Sequence, residues 1–159
     1  MSRHIAKISK GFKALRKALK RARKSPFFRA RYHYVRWYEK GEIDPNAVLL
    51  QAYDGKGILG NPYYILRTLC TDPAYAHLKL YVVSTKSDMP AVEAALRALG
   101  GRAEAVRIYS RQYCKLLATC GYLVNNSTFA SFFIKRPGQV YLNTSVSYTH
   151  LTLPTKRIV

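Results

Sequence analysis

The chain has 159 residues, which suits one ordinary domain with an extension and leaves no room for two full α/β domains. Hydrophobic residues make up 48% of it and aromatic residues 13%, which excludes wholesale disorder. Its 27 Lys and Arg residues outnumber 8 Asp and Glu residues, and 13 of the basic residues precede the first acidic one, Glu39. We therefore expect the basic N-terminal segment to bind an anionic surface, either phospholipid or nucleic acid.

The first predicted element is a basic amphipathic helix. Its apolar residues alternate steps of three and four, which draws one stripe along a helix. The stripe comprises Ile5, Ile8, Phe12, Leu15 and Leu19, and the basic residues beside it include Lys13, Lys17 and Lys20. Ser25-Pro26 interrupts the helix, which resumes over residues 27–40 with aromatic residues suited to an interfacial depth. We predict that residues 1–40 form a membrane-contacting arm in which these eight side chains touch lipid.

Other interpretations of the arm stay open. A nucleic-acid-binding protein would also use a basic arm with interleaved aromatic residues, although it needs no ordered apolar stripe. An organellar transit peptide is basic and amphipathic too, but lysines are abundant here and serines are few. The stripe could instead pack on the surface of the protein's own domain. No uncharged segment of ~20 residues is present that could span a bilayer.

Beyond Gly41, short apolar runs alternate with helical segments. Strands are predicted over residues 47–52, 78–84, 105–109, 122–125 and 140–143. Helices are predicted over residues 61–69, 90–99, 111–119 and 129–134. This alternation is typical of βαβ units that build a parallel sheet covered on both faces. The sequence thus predicts an α/β fold, a Rossmann-like parallel sheet over residues 45–144 preceded by basic amphipathic helices.

The three cysteines, Cys70, Cys114 and Cys120, are odd in number and fit no zinc-binding spacing. Their apolar neighbours favour reduced residues in a core, and hence a cytosolic compartment. No set of residues with the spacing of a metal site is present, and we predict neither a metal nor a cofactor.

Two polar clusters follow strands that we expect to end at the same edge of the sheet. The first is the turn after the first strand, where Gly55 allows close backbone approach, Lys56 supplies a cation and Asn61-Pro62 is expected to cap the next helix. On these residues alone a plain glycine-rich turn is the favoured interpretation, because GKGxxG departs from the dinucleotide-binding fingerprint and no acidic residue ends the second strand. An anion site is the alternative. The second cluster is Asn125-Asn126-Ser127-Thr128, where a helix cap by Ser127 or Thr128 is the favoured single role and ligand binding is the alternative. We predict no catalytic residue, because the sequence contains no recognisable catalytic triad or pair of carboxylates.

Two stretches carry a resemblance to a known family. The runs YDGKGILGNPYYILRTL and YLVNNSTFASFFIKRPGQVYLNT resemble the CDP-glycerol glycerophosphotransferase family of teichoic acid synthesis over residues 46–144. The residues that match the family's motifs are Gly55, Lys56, Asn61, Pro62, Gly138, Gln139, Asn143 and Thr144. Ala130 departs from the family, where proline is common.

The resemblance implies an enzyme that transfers glycerol phosphate from CDP-glycerol to a lipid-linked teichoic acid acceptor. Such enzymes have two Rossmann-like domains of the glycosyltransferase-B type and attach peripherally to the cytoplasmic face of the cell membrane. This chain would supply the acceptor-side half, so its implied partners are the acceptor and an anionic membrane surface, with CDP-glycerol bound only by the full-length parent. No nucleic acid is expected as a partner.

The final segment departs from the family at Ser145. Where the family continues with Trp-His-Gly, whose His is taken as the general base, this chain continues SVSYTHLTLPTKRIV. That stretch resembles a translated sequencing adapter, so we expect residues 145–159 to be a foreign tail. His150 is not the family's His, because its flanking residues do not match. The chain is accordingly expected to be an inactive N-terminal fragment.

Overall fold

The structure, a computed structural model, describes residues 25–145. Five parallel strands form one sheet in the order β3-β2-β1-β4-β5. They are β1 (Asp44–Gln51), β2 (Lys79–Ser84), β3 (Ala103–Arg107), β4 (Cys120–Asn125) and β5 (Val140–Asn143). The predicted α/β fold with a parallel sheet is confirmed, and a strand lies at each of the five predicted positions. The predicted stripe of residues 5–19 and residues 146–159 of the predicted tail lie outside the described residues.

Four helices cover the sheet within residues 25–145. They are α1 (Pro26–Lys40), α2 (Asn61–Thr71), α3 (Met89–Ala98) and α4 (Arg111–Thr119), with short 3-10 turns at Tyr53–Gly55 and Pro73–Tyr75. Each of the first three has a proline in its first turn, where the missing N–H costs no helical hydrogen bond. None of the helices in this part of the chain is long and apolar enough to cross a membrane.

The core lies on both faces of the sheet because side chains alternate along each strand. Leu49 of β1 packs in the cluster that contains Tyr34 of α1 and Leu117 of α4. Its neighbours Val48 and Leu50 pack in the opposite cluster, which contains residues of α2 and α3. Burying a side chain such as Leu49 stabilises the fold by about 1.5–3 kcal/mol. The central strand is therefore apolar on both faces, as a doubly covered parallel strand must be.

Helix α1 packs on the domain through aromatic residues that we expected at a membrane interface. Tyr34 is only 2% exposed, and its hydroxyl donates a 2.8 Å hydrogen bond to the carbonyl of Ile134. Trp37 and Tyr38 pack against the same core cluster. Phe28 and Tyr32, in contrast, lie on the exposed side of α1. Only the outward side of this helix is available to a membrane.

The helix predicted over residues 129–134 is wrong. The apolar spacing of Phe129, Phe132 and Phe133 imitates a helical stripe, but the segment forms an irregular turn. Phe129 and Phe132 enter the core, and the ring of Phe133 packs against the ring of Tyr141 on β5. These tertiary contacts, together with the bond from Tyr34, determine the local backbone in place of helical hydrogen bonds. The prediction of reduced core cysteines is confirmed, since all three are free and buried.

Candidate functional site at the carboxyl edge of the sheet

The parallel register brings the predicted polar clusters to one edge. Gln51 at the end of β1 pairs with Asn125 of β4, which pairs in turn with Asn143 of β5. The turn after β1 and the loop after β4 are therefore neighbours in space, although more than sixty residues separate them in sequence. Ligands of open parallel sheets bind beyond such carboxyl ends.

The turn after β1 has a strained backbone. Tyr53 and Asp54 have φ angles of 43° and 57°, in the left-handed region that residues other than glycine seldom occupy. Gly55 follows with φ 82°, is buried, and accepts a 2.8 Å hydrogen bond from the N–H of Thr85. A Cβ atom at position 55 would lie 3.4 Å from the backbone of Ser84 and Thr85. That distance is an ordinary van der Waals contact, so the positive φ of Gly55, rather than its packing against β2, is what favours glycine here. Lys56 beside it is exposed.

Asn61 does not cap helix α2, contrary to our expectation. Gly60 occupies the N-cap position, and Asn61 is the first helical residue. Its side-chain Nδ2 donates a 3.0 Å hydrogen bond to the carbonyl of Thr144, just beyond β5. Asn61 thus ties the glycine-rich turn to the far end of the site.

The loop after β4 is bonded to the turn after β1. The side-chain oxygen of Asn126 accepts a 2.9 Å hydrogen bond from the N–H of Tyr53. The hydroxyl of Ser127 lies 3.1 Å from Oδ1 of Asp54 and 3.1 Å from Oδ1 of Asn125. Because no helix follows, neither Ser127 nor Thr128 acts as a helix cap. Ser127 instead bridges the two clusters.

The end of β5 completes the arrangement. The N–H and hydroxyl of Thr144 both donate to the carbonyl of Asn125, at 2.7 and 3.2 Å. Asn143 donates a longer bond of 3.4 Å to the carbonyl of Ser127. Most of the predicted site residues thus lie in one hydrogen-bonded network. The exceptions are Gly55, which bonds Ala52 and Thr85, and Lys56, which lies beside the network.

One polar atom of this network has no partner. The Nδ2 atom of Asn125 is the only buried side-chain nitrogen or oxygen in residues 25–145 without a hydrogen bond. Leaving such a donor unpaired costs about 1–3 kcal/mol. Its side-chain oxygen is already used by the N–H of Ser127, at 3.0 Å, which fixes the orientation of the amide. This donor is therefore free to bond a group outside the protein's own network.

Asp54 is the residue that the sequence analysis did not identify. Its carboxylate is exposed at the site and is held by the hydroxyl of Ser127. The sequence feature that could have identified Asp54 as a site residue is its position in the turn directly after a buried strand. Beneath the site, the hydroxyl of Tyr113 donates a 3.3 Å bond to Oε1 of Gln51, and burial raises the pKa of Tyr113, so this group stays a neutral phenol. An exposed carboxylate, an ammonium group and amides together suit recognition of hydroxyl and phosphate groups; no metal-binding cluster occurs among the described residues.

Fold and site define an α/β domain of the Rossmann-like class with a polar site at the carboxyl edge of its sheet. The model of the CDP-Glycerol:Poly(glycerophosphate) glycerophosphotransferase family matches residues 32–156. The chain belongs to this family. The match continues into the segment that we predict to be foreign, and that assignment stays a prediction. No curated protein matches the sequence.

Solved structures of the wall teichoic acid polymerase TagF share the fold. A TagF variant soaked with CDPG superposes with a TM-score of 0.64 at 18% sequence identity and covers 87% of this chain. A structure of TagF itself superposes with a TM-score of 0.59 at 16% identity and covers 89% of this chain. The chain spans 32% and 31% of these two TagF chains, about a third of their length.

Proposed function

We propose that this domain is the acceptor-side half of an enzyme that transfers glycerol phosphate from CDP-glycerol to a lipid-linked teichoic acid acceptor. Family membership supports the transferase class. The observation that carries the proposal is the bond from Asn61 to Thr144, which joins two family-matching residues at one edge of the sheet. Asn143, which also matches the family, pairs with Asn125 at the same edge. Residues that matched only in sequence are neighbours in the fold.

The site would act by holding the hydroxyl end of the acceptor. The carboxylate of Asp54 accepts a hydrogen bond from an acceptor hydroxyl, and the ammonium group of Lys56 attracts the acceptor's phosphate. In the reaction, the acceptor oxygen forms a bond to the phosphorus that carries glycerol, the bond from that phosphorus to CMP breaks, and the hydroxyl proton passes to a base. Positioning the reactants in this way contributes ~7–11 kcal/mol toward lowering the barrier.

We propose that the 159 residues by themselves release no CMP. Thr144 is followed by Ser145-Val146-Ser147 in place of the family's Trp-His-Gly, so the base that takes the proton is missing from this sequence. A base of this kind contributes ~10²–10⁴-fold to the rate. The donor-binding domain is supplied by the parent enzyme, and residues 145–159 are foreign to it.

We further propose a peripheral attachment to the cytoplasmic face of the membrane. The outward side of α1 exposes Phe28, Tyr32 and Val35 at steps of four and three, with 44%, 63% and 44% of their surfaces accessible. Arg31 and Arg36 lie exposed on the same helix. Exposed apolar residues flanked by cations suit an anionic bilayer surface, and they would extend the predicted stripe of the preceding residues.

The test is CMP release from CDP-glycerol in the presence of a membrane acceptor. The 159-residue chain is compared with a restored chain, in which residues 1–144 continue into the Trp-His-Gly segment and the second domain of a family member. We expect CMP from the restored chain only. Turnover by the short chain, or an inactive but folded restored chain, would overturn the proposal.

A further inference from the structure

A second cavity opens at the same edge of the sheet, at the end of β3. Its volume is about 900 Å³, and it is walled by α1, by the loop between β3 and α4, and by the start of α3. Its lining includes Arg29, His33, Glu93, Arg107, Tyr109 and Arg111. None of them belongs to the network around Asn61 and Asn125. In the sheet order, β2 and β1 separate this cavity from the ends of β4 and β5.

The cavity holds an unbalanced positive charge. Three arginines, Arg29, Arg107 and Arg111, line it together with a single acidic residue, Glu93. None of the three arginines forms a salt bridge within residues 25–145, where the one ion pair joins Lys79 to Asp44. Arginines brought together without acidic partners repel one another, and this repulsion is relieved when an anion binds among them.

The start of helix α4 adds to the positive potential. Helix α4 begins in the cavity wall with Ser110, Arg111 and Gln112, so the positive end of its dipole adds to the guanidinium charges. Burial and the charges of Arg111, Arg36 and Arg29 lower the pKa of His33. Burial is the larger cause of the lowered pKa, and the nearby arginines act in the same direction.

Edge-on contacts between aromatic rings hold the loop after β3, which forms one wall of the cavity. Tyr109 has a left-handed backbone, with φ 59°, and its ring meets the ring of Phe27 edge-on at 6.2 Å and the ring of Tyr113 at 6.0 Å. Tyr113 is fully buried in the core. The loop between Arg107 and Arg111 is therefore anchored by Tyr109, and the two arginines lie at the end of β3 and at the start of α4, which flank it.

We propose that this cavity binds phosphodiester groups of the acceptor polymer, at units behind the one that reacts. The planar fork of an arginine pairs with two phosphate oxygens at once, which makes it the preferred residue for this ligand. A volume of about 900 Å³ exceeds that of one phosphate and accommodates more than one unit of a chain. The polymer's identity rests on the proposed function; the preference for a phosphodiester rests on the arginines alone. Both sites open at the same sheet edge, which allows one chain to reach both.

The test measures binding to the 159-residue chain by titration calorimetry, so it is independent of catalysis. The probes are a short oligo(glycerol phosphate), inorganic phosphate and a water-soluble short-chain phosphatidylglycerol. We expect the oligomer to bind most tightly and its affinity to fall about tenfold or more in the double variant Arg107→Gln/Arg111→Gln. Arg97→Gln, which removes an exposed arginine near the opposite end of α3, is the matched control and leaves affinity unchanged.

The outcomes separate this inference from the proposed function. Equal affinity of the double variant and the unaltered chain, or no binding of the oligomer, overturns the cavity site even if the restored enzyme releases CMP. Loss of affinity in the double variant supports the site even if that enzyme is inactive. Tighter binding of phosphatidylglycerol than of the oligomer, lost in the same variant, overturns the assignment to the acceptor and identifies a lipid head group as the ligand. Thermal unfolding verifies that each variant is folded.

Discussion

The side-chain amide of Asn61 donates a hydrogen bond of 3.0 Å to the carbonyl of Thr144, 83 positions away in the sequence. It joins the start of α2 to the end of β5 across the mouth of the site. The two residues belong to separate family motifs, and their contact is what makes a single site of them.

Replacing Asn61 by alanine removes this bond. We expect the free energy of unfolding to fall by about 1 kcal/mol, because the carbonyl of Thr144 is part-buried and loses its donor from α2. Urea denaturation measures the change. Asn46→Ala, at an exposed position near the start of β1, is the matched control and should change stability by less than about 0.5 kcal/mol. Equal effects of the two substitutions would show that the bond contributes nothing.

Two substitutions of Asp54 distinguish the role of its left-handed backbone from the role of its carboxylate. Asparagine tolerates the left-handed conformation at φ 57°, whereas valine there costs about 1–2 kcal/mol. We therefore expect Asp54→Asn to leave the free energy of unfolding nearly unchanged and Asp54→Val to lower it. In the restored enzyme, Asp54→Asn should still weaken acceptor binding, because the carboxylate is gone. Unfolding curves and acceptor KM values measure the two effects, and an unchanged acceptor KM would exclude Asp54 from the site.

The buried thiols predict a loss of stability at alkaline pH. Burial raises the pKa of Cys114 from its ordinary 9.0 to about 12, and burial, reinforced by Asp44, raises the pKa of Cys120 to about 12. Above pH 9 the unfolded chain loses these protons and the folded chain keeps them, so unfolding is favoured progressively between about pH 9 and 12. The slope reaches at most about 1.4 kcal/mol per pH unit for each thiol.

Urea denaturation at several pH values on either side of pH 9 measures this loss. The double variant Cys114→Ala/Cys120→Ala, compared with its own stability below pH 9, should show a shallower decline. Tyrosines with raised pKa values contribute equally to both proteins, so the difference between the slopes reports the thiols. Identical slopes would contradict the prediction.

The exposed side of α1 predicts a contact with anionic lipid. Tyr32→Glu should weaken binding to vesicles that contain phosphatidylglycerol about tenfold, because it places a negative charge within the apolar stripe. Tyr64→Glu on α2 is a matched control, since Tyr64 is 64% exposed and Tyr32 is 63% exposed. Vesicle co-sedimentation at two salt concentrations measures the affinity. Duplex DNA that binds as tightly as vesicles, with no effect of Tyr32→Glu on either, would favour a nucleic-acid-binding arm.

The sheet was predictable because its signals are local. Each buried strand is a short apolar run between turn residues, and α4 begins at a serine cap that bonds the N–H of Tyr113. The error over residues 129–134 has the opposite cause: the spacing of its phenylalanines satisfies a helical period, while the contact between Tyr34 and Ile134 spans 100 positions. Periodicity within a segment contains no information about such a contact.

The sequence predicted most of the site residues but not the contacts that they make. Strand order places Asn125 beside both Gln51 and Asn143, so the meeting of the clusters follows from topology. The role of Asn61 does not follow from topology, because its side-chain amide is equally suited to a helix cap and to a long-range hydrogen bond. Neither Asp54 nor the arginine cavity was identified from the sequence. The cavity could not be, because its residues come from α1 and from the loop after β3, and only the packing of α1 brings them together.

The most direct test of the central claim is which substrate the edge of the sheet recognises. In the restored enzyme, the KM values for acceptor and for CDP-glycerol are measured separately for Lys56→Gln, an exposed site residue, and for the Arg97→Gln control. An acceptor-side domain predicts that Lys56→Gln raises the acceptor KM several-fold and leaves the CDP-glycerol KM unchanged, with no effect of the control. A raised KM for CDP-glycerol with an unchanged acceptor KM would contradict it and assign this edge to the donor.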